Sequence, residues 1–452
     1  MRSPLLPGRV SPSLISSSSI RRARLVLVSL LLPACAFAQD FRASVVKVDV
    51  TPDTPQMLLG YRARKSTGIL HRIYHRILAL DDGKTQFFII SSEFCVKSPA
   101  YYDQVMSKLR AELGIEAVNV WWTLTHTHSA PELGPPGLPA AFMKQRYEHE
   151  PDMAYAAVVE KALIDGISRA RASLKPAKLG VGWGYAQANI NRRARELDGT
   201  TSLGMNPDGP VDRRIGLLRI DAQDGSPIAV VANYAIHGTV LSGAHLQVSG
   251  DVQGVVADYV ESVVGAPMLF INGAAGNIAP IYSVFPDPRT GHLTQFKVLL
   301  GEKIVEGYHT IKSTRASPKL QAGAITVETP MKPDLQWPAD LADYARSSPD
   351  AAPVVRLPVR FLKIDHDLAI WAAPLELFCE VSNDIRDRSP FAYTFFFGYT
   401  NGWLGYLLTA TELTYGGYES TVTPFTASAA KDLTDAVLSH LHGPLLSPAA
   451  SK

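Results

Sequence analysis

Cysteine is scarce in this chain. It has three, and Cys35 falls in a leader-like N-terminus. Cys95 and Cys379 cannot build a disulfide framework between them, and they read as small buried apolar residues rather than as a bridge. Charge is scarce as well: 19% of residues are Asp, Glu, Lys or Arg, and the net charge is +2. Beyond residue 25 no Lys/Arg cluster is interleaved with aromatics, so no nucleic-acid partner is expected. No later apolar run is long enough for a transmembrane helix. No internal repeat is visible. What remains is a chain of 452 residues with 46% hydrophobic content. That suits a well-buried globular protein of one large or two medium domains.

The N-terminus reads as an export signal over residues 1–38. Arg21, Arg22 and Arg24 precede an apolar stretch at 25–32, and Ala36-Phe37-Ala38 supplies a small-x-small cleavage site before Gln39. Leu32-Pro33-Ala34-Cys35 is similar to a lipoprotein box, but Pro33 fits that pattern poorly. A soluble exported protein, periplasmic or secreted, is therefore expected ahead of anchoring at Cys35.

Hydrophobic periodicity orders the rest. Strands are expected at 45–50, 69–80 and 86–91, the last two joined at Asp81-Asp82-Gly83. His71 and His75 lie in the second of these and read as surface residues. Helices are expected at 101–113, 153–174, 252–264, 297–311 and 427–441. Further strands are expected at 118–124, 178–183, 215–220, 228–235, 267–271, 322–328, 354–364, 368–372 and 391–397. Residues 332–352 read as a surface excursion, and Pro374 is expected to open a helix over 375–386. Hairpins interrupt an irregular alternation of strands and helices. The fold class is therefore mixed α/β (α+β), a large mixed sheet with helices around it, and not a (β/α)₈ barrel.

Polar residues gather at strand ends. The apolar run Trp121-Trp122-Thr123-Leu124 leads into Thr125-His126-Thr127-His128. On an extended strand, residues two apart share a face, so both imidazoles converge, and neutral imidazole is the commonest protein ligand for zinc. Two ordinary histidines would fit the spacing as well. His237 ends another strand, Asn272 to Pro280 forms a small-residue turn, and Glu376 follows a third strand. Each has a plain structural alternative. His237 would serve as a satisfied core histidine, Glu376 as a complement to a helix dipole, Tyr406 as core packing, and the glycines 273 and 276 as tight-turn residues.

Taken together, these stretches resemble the catalytic domain of the neutral/alkaline non-lysosomal ceramidases. The resemblance is carried by Leu124-Thr125-His126-Thr127-His128-Ser129, Ala188-Asn189-Ile190-Asn191-Arg192, Ala235-Ile236-His237 through His245, and Asn272-Gly273-Ala274-Ala275-Gly276-Asn277-Ile278-Ala279-Pro280. Pro374-Leu375-Glu376 and Asn401 through Gly405-Tyr406 follow in the family's order. Asp49-Val50-Thr51-Pro52 and Leu59-Gly60-Tyr61 match its start.

The resemblance implies a single catalytic domain over 39–445; the chain is expected to depart from the family in having no C-terminal immunoglobulin-like domain, with a disordered tail at 446–452. The resemblance also implies one zinc ion per chain, held by His126, His237, Glu376 and Tyr406. His128, Arg192 and Asn277 are the implied catalytic residues, with His128 beside the ligands and Arg192 lining the site. Zinc-bound hydroxide would attack the amide of a ceramide-like or other amphiphilic N-acyl substrate, which leaves room for peripheral contact with a membrane. The chain departs from the family at Gly-Asp-Val-Ser-Pro, here Gly276-Asn277-Ile278-Ala279-Pro280, so a serine hydroxyl is missing at Ala279. That departure motivates a second reading, an inert member that binds a lipid or glycan. A third is an unrelated metallohydrolase. Metallo-β-lactamases usually continue HxH with Asp-His, where Ser129-Ala130-Pro131 stands here, and amidohydrolases place HxH in a regular barrel.

Overall fold

The strands on either side of the Asp82-Gly83 turn lie next to one edge of an eight-stranded mixed sheet. In the computed structural model, which describes residues 41–348 and 351–443, the sheet order is Met268–Asn272, Pro227–Tyr234, Arg214–Ala222, Lys175–Tyr185, Arg42–Asp49, Tyr74–Asp81, Gln86–Ser92, Val120–Leu124. The pairings at its two edges are parallel, and those between them are antiparallel. Gly83 (φ 84°) and Gly225 (φ 88°) take the left-handed conformation that closes the two hairpins.

The period of two in these strands builds two cores. Phe88, Ile90 and Trp122 join one, with residues of the helices Pro99–Leu113 and Met153–Ala172. Phe87, Ile89 and Trp121 join the other, against Leu362, Ile370, Phe395 and Phe397 of a second sheet. That sheet has five strands: Leu320–Pro330, Ala351–Ile364, Leu368–Ala372 and Tyr393–Phe397 in order, with Ala345–Ser348 paired to the second. Burying each large side chain contributes roughly 2–3 kcal/mol, so this interface holds the sheets face to face. The helices Asp251–Val264 and Lys303–Thr310 cover the first sheet, and Ala429–His442 covers the second. The result is the mixed α/β architecture expected.

Several local expectations are corrected. No helix starts at Pro374: Glu376–Leu377 is a short strand parallel to Tyr406–Leu407, and the helix is Cys379–Arg388. Proline tolerates a first helical turn without imposing one, and here the extended Phe378 (φ −71°, ψ 140°) delays it. His75 is fully buried, because Tyr74–Asp81 is covered on both faces. Its Nδ1 meets Ser92 Oγ at 2.6 Å and its Nε2 meets the Val159 carbonyl at 3.2 Å. The excursion at 332–352 carries a buried anchor, Leu341, on a short 3₁₀ turn. The helix expected at 297–311 begins as a π-turn, Lys297–Glu302. Cys95 and Cys379 are free and buried, as expected. Among the described residues no helix is long and apolar enough to cross a membrane. The expected export signal at 1–38, with Cys35, and the tail at 446–452 lie outside the described residues.

The parallel strands of both sheets end at one place. Leu124 N–H donates to the Tyr399 carbonyl at 3.3 Å, and Gly398 N–H donates to the Asn272 carbonyl at 2.9 Å. Loops leaving such strand ends are where α/β proteins build sites.

Candidate metal centre

The strand Val120–Leu124 stops before its histidines. His126 takes a left-handed conformation, φ 68°, which costs energy for a residue with a side chain. Strand alternation therefore does not bring the two imidazoles together, as the spacing suggested; a turn does. Thr127 bridges to Gly238, and the His128 N–H donates to the Gly238 carbonyl at 2.9 Å. A Cβ on Gly238 would lie 2.4 Å from the His126 carbonyl oxygen and 2.6 Å from Thr127 Cα. Glycine is what lets the two loops touch, and that contact sets His237 beside His126.

Three donor atoms form an equilateral triangle. His126 Nε2 and His237 Nε2 are 3.2 Å apart, and each lies 3.2 Å from Glu376 Oε2. All three residues are buried. The other ring nitrogens are committed: His126 Nδ1 to the Cys95 carbonyl at 3.0 Å, and His237 Nδ1 to the Ala275 carbonyl at 2.7 Å. Each Nδ1 therefore carries its proton, and each Nε2 turns a lone pair inward. Two lone pairs and a carboxylate oxygen at this spacing repel unless a cation lies between them. For tetrahedral angles, atoms so spaced lie about 2 Å from a common centre, the bond length of a first-row metal to nitrogen or oxygen. These three residues are spaced to hold one metal ion.

The three groups titrate unequally, with positive charge favoured on His126 beside an ionised Glu376 and disfavoured on His237. Burial alone would raise the Glu376 carboxyl, but His126 and His237 outweigh it and hold it well below the ordinary range. Burial would depress His126, but the Glu376 carboxylate lifts it to about 10. Burial and the nearby Arg192 cation push His237 down to about 3.

The expected neighbours have distinct places. Tyr406 is the direct partner of Glu376 in the short parallel ladder, and its hydroxyl accepts from Arg192 Nη2 at 3.1 Å. Burial and then Glu376 hold this phenol well above its usual pKa. Arg192 is itself held by Glu419, whose Oε1 accepts from Nε at 2.9 Å. His128 Nε2 lies 3.2 Å from His126 Nε2. Burial and the two other imidazoles keep His128 neutral, well below the usual histidine range. Asn277 differs. Its Oδ1 accepts from the Cys379 N–H at 3.0 Å and its Nδ2 donates to Glu380 at 2.7 Å. Its side chain thus fastens the turn to the helix start, while its carbonyl accepts from the Arg192 N–H at 2.9 Å. Ala279 is buried in the strand Ile278–Pro280.

Sequence reasoning missed three supporting groups. Trp403 Nε1 donates to Glu376 Oε1 at 2.8 Å. The Tyr399 hydroxyl reaches Glu376 Oε2 at 3.4 Å, and its ring stacks on His126 with centroids 4.2 Å apart. Glu419 is the third. A buried tryptophan N–H needs an acceptor, so Trp403, inside the stretch 401–406, was the one with a readable signal.

A sequence model of the N-terminal region of the neutral/alkaline non-lysosomal ceramidases matches residues 41–281. The chain belongs to that family. The matched stretch holds His126, His128, Arg192, His237 and Asn277, whereas Glu376 and Tyr406 lie beyond it. Among curated ceramidases, the neutral ceramidase of Mycobacterium tuberculosis is 25% identical over 224 residues, 46% of this chain and 33% of that protein. Neutral ceramidase B of Dictyostelium discoideum is 26% identical over 260 residues, 54% of this chain and 34% of that protein. The chain thus spans about a third of the length of the curated relatives it matches. The fold is that of the crystal structure of the Pseudomonas aeruginosa neutral ceramidase, with TM-score 0.71 at 18% identity over 91% of this chain and 76% of that one. A structure described as ceramidase complexed with C2 matches equally, with TM-score 0.71 at 17% identity over 92% and 77% of the two chains.

Proposed function

We propose that this ceramidase-family chain is an exported zinc-dependent amidohydrolase that cleaves the amide bond of a ceramide-like or other N-acyl amphiphile. One observation carries the reading: two imidazole lone pairs and a carboxylate oxygen stand 3.2 Å from one another in a buried centre. In this reading His126, His237 and Glu376 hold one zinc ion per chain, with Tyr406 as the fourth protein ligand. When bound, zinc polarises a carbonyl and lowers the pKa of a water to about 7.

The chain's own groups do the rest. The Cys95 and Ala275 carbonyls keep both ligand histidines in the tautomer that turns Nε2 inward. Trp403 and Tyr399 fix the Glu376 carboxylate. Neutral His128, partly exposed at the rim, takes a proton at Nε2 and returns it to the departing amine. Arg192, braced by Glu419, sets a positive charge where the carbonyl oxygen becomes negative. Asn277 holds the turn on which His237 rests. The leader pattern at 1–38 supports action in the periplasm or outside the cell, where an amphiphilic substrate can be drawn from a membrane surface.

Ala279, where the family's serine is missing, favours a second reading: an inert member that keeps the metal and binds a lipid or glycan. One experiment separates the two. Metal content is measured on the purified full chain, with hydrolysis of labelled ceramide and an N-acyl panel with and without chelator. Chelator-sensitive fatty-acid release with about one zinc per chain supports the hydrolase. Zinc without turnover supports the binder, and absence of zinc overturns both.

A further inference from the structure

A second feature of the centre lies beside its rim and takes no part in holding a metal. The segment from Leu58 to Lys65 folds over His128. Leu59 N–H donates to the Ala130 carbonyl at 3.0 Å. Gly60, at φ 103°, approaches so closely that a Cβ would lie 2.4 Å from the His128 ring. The Tyr61 ring meets His128 edge-on at 5.0 Å. Arg64 lies over Tyr61, 4.9 Å from its centroid, and donates from Nη2 to the His128 carbonyl.

That single bond is all this guanidinium has. Nε and Nη1 of Arg64 are buried and have no partner, and among the described residues no carboxylate pairs with Arg64. Arg64 as a whole is half-buried, and three deeply buried arginines contrast with it. Arg76 is met by Glu93, Glu261 and Asp258. Arg193 is met by Glu412 and Glu419, and Arg192 by Glu419 and Tyr406. A buried charged donor without an acceptor is costly, and the cost is relieved when a ligand brings the acceptor.

The surroundings favour an anion. The loop after His237 is stitched to this segment, since the Tyr61 hydroxyl donates to the Leu241 carbonyl at 2.8 Å and the Thr67 N–H to the Leu246 carbonyl at 2.8 Å. Burial lowers the His245 pKa and its Nδ1 donates to the Pro288 carbonyl at 3.3 Å, so this ring is neutral with a lone pair at Nε2 and adds no donor for an anion. Arg146 adds a further positive charge that acts on Arg64. A planar guanidinium with free N–H groups matches an oxyanion, most closely a carboxylate. Ceramide is neutral and offers none.

We propose that Arg64 seats an oxyanion of the substrate through its free N–H groups, so that this chain acts on N-acyl compounds bearing a carboxylate or sulfonate, such as N-acyl amino acids, in preference to neutral ceramide. The inference rests on the amidohydrolase reading for the reaction but not for the binding. The test is therefore a binding titration alongside turnover. N-lauroylglycine and its neutral amide are titrated into the full chain, as purified and with measured metal content. The wild type is expected to bind the acid about 10- to 100-fold more tightly than the amide. Arg64→Gln brings the two affinities together, and Arg64→Lys keeps part of the preference. If Arg64→Gln does not fold, Arg64→Lys read against the same pair of ligands decides. Equal binding of acid and amide by the wild type overturns the proposal, as does an Arg64 variant that weakens both alike, for then Arg64 only holds the His128 carbonyl. Preference for the acid without turnover upholds the seat while the hydrolase reading fails. Ceramide cleaved with the same kcat/KM as the acid overturns the seat and leaves the hydrolase standing.

Discussion

Glu376 sits directly opposite Tyr406 in a parallel ladder two residues long, tied by Glu376 N–H to the Gly405 carbonyl at 3.0 Å and Phe378 N–H to the Leu407 carbonyl at 3.1 Å. Partners in register share a face, so this ladder aims a carboxylate and a phenol at one point. The turn at Gly276 packs beneath it, where a Cβ would lie 2.7 Å from the Glu376 carbonyl oxygen. The ladder, and not a helix start, is what places Glu376.

The carboxylate is held from its far side by Trp403, whose Nε1 reaches Oε1 at 2.8 Å. Trp403→Phe removes that bond and keeps most of the buried ring. Groups that orient a metal ligand are typically worth 10- to 100-fold in metal affinity, so we predict about that loss for Trp403→Phe. Tyr399→Phe, whose bond is longer at 3.4 Å, should lose less. Competition against a chromophoric chelator measures both. An unchanged zinc affinity in Trp403→Phe would rule out the orienting role.

How far the site was legible follows from which residues act through pattern and which through register. His126 and His237 could be read because each follows an apolar strand whose period survives in the structure. Their convergence could not be derived from spacing, because it depends on the left-handed His126 and on the contact of Thr127 with Gly238. Glu376 was noticed as polar beside a strand. Its two-residue strand is shorter than any periodicity, so Pro374 suggested a helix in its place. His75 misled because alternation carries no information in a strand buried on both faces. Glu419 acts on Arg192 from a distant segment, and such a partnership leaves no local trace, whereas the indole N–H of Trp403 signals its need for an acceptor. The layered fold was legible because hairpin turns and strand periods are local.

The contact at Gly238 makes a sharp prediction. In Gly238→Ala the new Cβ meets backbone atoms of His126 and Thr127 at 2.4 and 2.6 Å, and neither can rotate away. Overpacking of this kind costs about 1–3 kcal/mol. Because the strain falls between two ligand loops, zinc content should drop along with stability. Gly291→Ala, whose Cβ would meet nothing within 4 Å, is the control and should change neither. Denaturant unfolding and metal analysis on the two variants provide the check. Full zinc occupancy in Gly238→Ala would show that the loops can separate without cost to the centre.

His75 gives a pH-dependent stability term whose sign follows from burial. Burial pushes its pKa from 6.5 down to about 4, so between those values the unfolded chain binds the proton and the native chain does not. Its contribution is complete above pH 6.5 and is lost as pH falls toward 4. The linkage amounts to about 3 kcal/mol. Asp251 has the opposite sign: burial raises it from 3.8 to about 6, so part of the His75 effect is offset in the wild type. The difference between wild type and His75→Gln isolates it. We predict that the stability advantage of the wild type shrinks steadily between pH 7 and pH 4.5 in urea unfolding. A constant difference over that range would contradict a neutral buried imidazole.

Glu419 and Glu412 allow positioning to be separated from stability. Both are buried and both meet Arg193, at 2.6 Å in each case, but only Glu419 also holds Arg192, at 2.9 Å. The second carboxylate oxygen of Glu412 goes to Arg195. Removing one partner of a buried ion pair costs about 3–5 kcal/mol, so Glu419→Gln and Glu412→Gln should destabilise the chain by similar amounts. Their effects on turnover should differ. In Glu419→Gln the guanidinium beside Tyr406 loses its brace, and kcat should fall roughly 10- to 100-fold while zinc content stays near one per chain. In Glu412→Gln kcat should stay within about threefold of the wild type at temperatures where both variants remain folded, since a loose Arg193 touches no reacting group. Equal losses of kcat in the two variants would mean that the whole arginine cluster acts only as a structural support. A loss confined to Glu419→Gln assigns Arg192 its place over the carbonyl oxygen.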